Sequence, residues 1–175
     1  MHKLIRFVFL LLCTLFFLTL HFFVAYTLPY PFDKINILFV YLLFYLLLTE
    51  SGTVVWMAFF THIFIEVFPS NTFGVTLMSS SLAFLLSYWF HTYYITNKRW
   101  YGGLALMIFT LFSYRVFYSF FLFFFHRFAP TVVNIQWTEL WELGLSEILL
   151  TSSLFIILYF FLFKFSTTFR RLLSK

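Results

Sequence analysis

Residues 35–68 read INILFVYLLFYLLLTESGTVVWMAFFTHIFIEVF, and the fold turns on whether this apolar run is one helix or two. As one helix its 34 residues would measure about 51 Å, against a bilayer hydrocarbon core of about 30 Å. Its middle is polar: Glu50-Ser51-Gly52, flanked by Thr49 and Thr53. That break predicts a tight hairpin between two short spans of about 24 Å each, which local thinning of the bilayer or packing against protein must accommodate.

The rest of the chain has the same character. Of 175 residues, 63% are hydrophobic and only 10% charged, and Phe alone accounts for 31. A soluble domain carries about 25% charged residues, so this chain lacks the polar surface to cover a water-soluble globule. The composition excludes a soluble enzyme, an exposed nucleic-acid binder and a disordered adaptor. With about 20 residues needed per span, little chain is left for a domain outside the bilayer. Six apolar segments can be marked, at residues 4–26, 35–49, 52–68, 73–95, 103–126 and 148–165. None alternates polar and apolar residues as barrel strands do, so helices are expected. The expected fold is an all-α integral membrane protein, a six-transmembrane-helix bundle forming one domain. The first segment follows Lys3 and Arg6 as a signal peptide would, but it is too long for one and no small-residue cleavage site follows it. It reads as a retained span.

Charge gives the orientation. With six spans and both termini cytoplasmic, the inner side holds Lys3, Arg6, Lys98, Arg99, Lys164, Arg170, Arg171 and Lys175, and the outer side only Lys34 and Arg127. This matches the excess of Lys and Arg on cytoplasmic loops, and it accounts for the net charge of +5 without nucleic acid. Aromatic residues fall into two belts, with Trp56, Trp89, Tyr93, Tyr94, Trp100 and Tyr101 at the inner interface and Tyr26, Tyr30, Trp137 and Trp141 at the outer one. In the outer segment between spans five and six, Trp137, Leu140, Trp141 and Gly144 recur at helical spacing. A short amphipathic helix on the outer leaflet is expected there, either capping the bundle or offering a docking surface for a partner.

Few residues inside the spans can carry chemistry. Arg115 lies about 12 residues from either end of the fifth span, too deep to snorkel easily, so it should face the interior and find a partner. Glu66, Glu50, Glu147 and backbone carbonyls are the candidates. Two readings stay open, a structural pair or a contact to a ligand or partner helix. His62 and Glu66 are four apart and share a helix face. Two such groups do not make a metal site, which needs three or four ligands, so a polar contact within the bundle is expected. Cys13 is the only cysteine, which removes intrachain disulfides and multi-Cys metal sites. No G-x-S-x-G elbow or phosphate-cradling loop is present, and the Ser79-Ser80-Ser81 run should bond helix carbonyls or a neighbouring helix. Neither an enzyme nor a cofactor is expected.

The segment from Pro31 to Tyr118 resembles the rod-shape-determining protein MreD family of bacterial inner-membrane proteins. The likeness lies in the layout. A first span ends at Leu28-Pro29, a second begins at Asp33-Lys34-Ile35-Asn36, and a hairpin leads to a third ending Thr61-His62-Ile63-Phe64-Ile65-Glu66-Val67-Phe68-Pro69-Ser70. An acidic residue followed by a helix-opening glycine, here Glu66 and Gly74, and the basic turn Thr96-Asn97-Lys98-Arg99-Trp100-Tyr101 complete it. The chain departs from the family in having Glu rather than Asp at position 66 and Trp56-Met57-Ala58 where glycines are usual. The resemblance implies a non-enzymatic scaffold of the cell-elongation machinery, located in the inner membrane, that contacts an MreC-like bitopic protein and other wall-synthesis proteins. Lys98, Arg99, Trp137 and Trp141 would form the contact surface. The alternative is a substrate-binding subunit of an energy-coupling-factor vitamin transporter. Its Ala-x-x-x-Ala face is absent from the first span here, which reads FVFLLLCTLFF over residues 7–17.

Overall fold

The computed structural model describes residues 2–67, 73–95, 100–128 and 137–173. Among these residues there are six α-helices, one 3-10 turn at Phe32–Lys34 and no strand. The helices are α1 (His2–Thr27), α2 (Ile37–Thr49), α3 (Thr53–Val67), α4 (Val75–Tyr94), α5 (Trp100–Phe128) and α6 (Trp137–Leu173).

The 35–68 run does break at its polar middle. Glu50 takes left-handed backbone angles (φ 51°) as the C-cap of α2, and its N–H donates to the Leu46 carbonyl at 2.8 Å. Ser51 and Gly52 then supply the carbonyls that open α3, accepting from Val54 and Val55. Helix α2 is the axis of the bundle and packs on α1, α3, α5 and α6. Its buried residues are Ile37, Leu38, Phe39, Val40, Leu42, Leu43 and Leu46, which fall on all sides of the helix. A helix apolar all round has no face to spare for solvent, so it becomes the core.

The other helices wrap this axis. Helix α1 lies beside α2, where the Thr14 and Tyr41 hydroxyls share a hydrogen bond of 3.1 Å and Phe17 stacks on Tyr41. Helix α4 presents a row of small residues (Ser79, Ala83, Ser87) that lets α5 approach. The Ser87 and Thr110 hydroxyls, 2.7 Å apart, join the two helices. The serine run behaves as expected: Ser80 and Ser81 donate to the Leu77 carbonyl. Phe90 on Phe109 and Trp100 beside Phe160 set α4 against α5 and α5 against α6 in antiparallel register.

One expectation about these segments needs correction, and it concerns the start of α6. Three helical segments, Val8–Thr27, Trp100–Phe125 and Leu140–Leu162, are long and apolar enough to cross a bilayer. Helices α2 and α3 have 13 and 15 residues, about 20 and 22 Å, short as the sequence predicts. The outer amphipathic helix expected between spans five and six is not a separate element. Residues 137–147 form the first turns of α6, a single helix of 37 residues. No proline follows Pro130, so nothing in that sequence enforces a break, and Gly144 is held inside the helix by packing.

Trp56, Trp89, Tyr93, Tyr94, Trp100 and Tyr101 are all exposed near the ends of α3, α4 and α5, as are Tyr26, Tyr30 and Trp141 at the ends of α1 and α6.

Candidate functional site

The charged residues buried in the bundle gather near the head of α2. Arg115, on the middle turns of α5, forms an ion pair with Glu147 on α6. The Glu147 side chain is 4% exposed and the Arg115 side chain 18%. Of the four partners open in the sequence, the fold therefore selects Glu147. Sequence reading set that residue at the end of an outer loop, but the backward extension of α6 brings it inside the helix.

Asn36 ties this pair to α2. Its side-chain oxygen accepts from the Phe39 N–H at 3.3 Å, which caps α2, while its amide nitrogen donates to Glu147 Oε1 at 2.8 Å. Its backbone N–H donates to Thr151 Oγ1 at 3.0 Å. Gly144, Glu147 and Thr151 are spaced three and four apart, so they line one face of α6. A Cβ at Gly144 would stand 3.3 Å from Arg115 Cδ, so the glycine leaves room for the arginine stem. The guanidinium also lies 5.8 Å from the Tyr114 ring centroid. Arg115 from α5 and Asn36 from the head of α2 thus meet on one carboxylate of α6. Each hydrogen bond to a charged group contributes roughly 1.5–3 kcal/mol.

The second buried acid has a different task. Glu66 accepts from the backbone N–H groups of Thr76 at 3.0 Å and Leu77 at 3.2 Å. These are free donors of the first turn of α4, and the helix macrodipole favours an anion there. Gly74, the N-cap, has no side chain to do this and adopts φ 103°, a conformation that suits glycine. A carboxylate from α3 replaces the missing local cap and ties α3 to α4.

His62 and Glu66 do share the buried face of α3, with Val54, Ala58 and Thr61. Their hydrogen bonds diverge. His62 Nδ1 donates to the Ala58 carbonyl at 2.8 Å, and the ring meets Phe39 edge-on at 5.7 Å. Among the described residues no group of three or more His, Cys, Asp or Glu side chains is placed to hold a metal ion. Lys98 and Arg99 lie outside the described residues. Trp137 opens α6, and Trp141 is exposed one turn later.

Asn36, Gly144 and Thr151 are the members of this cluster that sequence reasoning missed. Asn36 carried a usable signal, since an Asn directly before an apolar run is a favoured N-cap. Comparison of the chain with protein-family models, with curated proteins and with solved structures finds no match.

Proposed function

We propose that this chain is a non-enzymatic scaffold of a bacterial inner membrane, similar to the MreD family, with six spans and both termini cytoplasmic. The observation that carries the reading is the use of the buried ionisable groups. Arg115 and Glu147 lock α5, α6 and α2 to one another, and Glu66 locks α3 to α4. Polar groups spent on joining helices make a rigid body with an apolar, lipid-facing exterior. Such a body acts through what it holds. In this reading α2 and α3 cross as short spans supported by α1, α5 and α6, the basic residues at positions 98 and 99 face the cytoplasm, and Trp141 belongs to the outer contact surface. The expected partners are an MreC-like bitopic protein and other membrane proteins of wall elongation.

Affinity purification from native membranes in mild detergent tests this reading. The chain should recover a bitopic wall-synthesis protein in fixed ratio, and Trp141→Ala or the pair Lys98→Gln and Arg99→Gln should lower that recovery several-fold without changing expression. Stoichiometric vitamin bound at nanomolar affinity would overturn it in favour of a transporter subunit.

A further inference from the structure

Helix α3 turns one face to the bundle and the other outward. Trp56, Phe60, Phe64 and Val67, spaced by four, four and three, are 66%, 57%, 51% and 68% exposed. The opposite face is packed, mainly against α4 and α2. The outward face is apolar, but it is short. The described helix has 15 residues, about 22 Å. The chain also sets an upper limit, because Gly52 precedes α3 and Pro69 follows it, and a proline disfavours helix in the residue before it.

The apolar run of α1, Val8–Thr27, has 20 residues, about 30 Å. One molecule therefore presents lipid with two faces that differ by about 8 Å. A long helix relieves mismatch by tilting, whereas tilt only shortens the reach of a short one. Snorkelling does not help either, because the one charged residue of α3, Glu66, is turned inward onto α4. Trp56, within a turn of the α3 start, is an interfacial anchor that resists sinking.

We propose that the outward face of α3 holds a locally thinned phospholipid bilayer, with headgroups drawn in to meet both ends of the helix. This rests on the membrane-embedded reading of the chain. The occupant of the face is lipid rather than a protein helix, because Trp56, Phe60, Phe64 and Val67 along it are apolar, and the one exposed polar residue, Thr53 in the first turn, bonds Tyr45 and Ser51 of its own hairpin, which leaves no polar or small group of the kind that helix–helix contacts in membranes use.

The test uses the full chain with Cys13→Ser, reconstituted in dioleoyl phosphatidylcholine vesicles, with a nitroxide on single cysteines at Thr53 or Val67 (α3) and at Val8 or Tyr26 (α1). All four positions are exposed. Depth is read from collisions with oxygen against a water-soluble nickel chelate. Both α3 labels should report headgroup depth although they are about 21 Å apart along the helix, as should both α1 labels at about 27 Å. An α3 label deep in hydrocarbon, with both α1 labels at headgroup depth, would overturn the thinning and leave the membrane reading intact. Failure of the α1 labels as well would remove the membrane reading itself. Labels at Phe60 and Phe64 shielded from both reagents would mean that protein covers the face, which also overturns the proposal.

Discussion

Arg115→Leu should destabilise the protein by about 3–5 kcal/mol, because it leaves the Glu147 carboxylate buried without its cation. Glu147 would keep only the Asn36 amide at 2.8 Å, in a site where its side chain is 4% exposed. The effect should disappear when both charges are removed. In Arg115→Leu combined with Glu147→Leu the desolvation cost goes along with the attraction, so the double variant is expected near wild-type stability or above it. Unfolding of the purified chain in detergent by heat or by denaturant checks both. A single variant as stable as wild type would mean that Arg115 faces water or an absent partner. A double variant no better than the single would mean that the pair is not coupled.

Phe39→Ala should cost a similar amount, about 3–5 kcal/mol, for a different reason. Phe39 is fully buried, and its ring lies 5.7 Å from that of His62, 5.0 Å from Phe84 and 5.0 Å from Tyr114. These contacts reach α3, α4 and α5 from the central helix, so the cavity has walls on several elements that cannot all collapse at once. Phe60→Ala is the matched control. The same atoms are lost from α3, but Phe60 faces outward, and a change within about 0.5 kcal/mol is expected for a position away from the core. The same unfolding measurement separates them, and equal losses would contradict the placement of α2 at the centre.

Much of this arrangement could be read from residues alone. Glu50-Ser51-Gly52 announced the turn between α2 and α3 because polar residues at the centre of a 34-residue apolar run have no place in hydrocarbon. The depth of Arg115 demanded an internal partner. The identity of that partner does not follow from the sequence, because Glu147 falls just before the apolar segment 148–165, at the end of the outer stretch. The helical spacing of Trp137, Leu140, Trp141 and Gly144 was seen, but periodicity gives no sign of whether a helix stops on the surface or runs on into a span. In the fold Gly144 is buried against Arg115 while Trp141 points outward, so the four residues do not form one surface. The role of Glu66 was hidden for another reason. Its partners are backbone N–H groups at the start of α4, and side-chain patterns carry no record of those. The lengths of α2 and α3 were legible from the outset as a tension with bilayer thickness, and the outward face of α3 gives that tension a location.

The most direct measurement of the six-span arrangement is the sidedness of two cysteines. In a Cys13→Ser background, cysteine is placed at Ser51, in the α2–α3 turn, or at Thr138, in the first turn of α6. A membrane-impermeant thiol reagent is then applied to intact cells and to inverted vesicles. Thr138→Cys should react from the outer side and Ser51→Cys from the inner side. Reaction of both from the same side would contradict six spans.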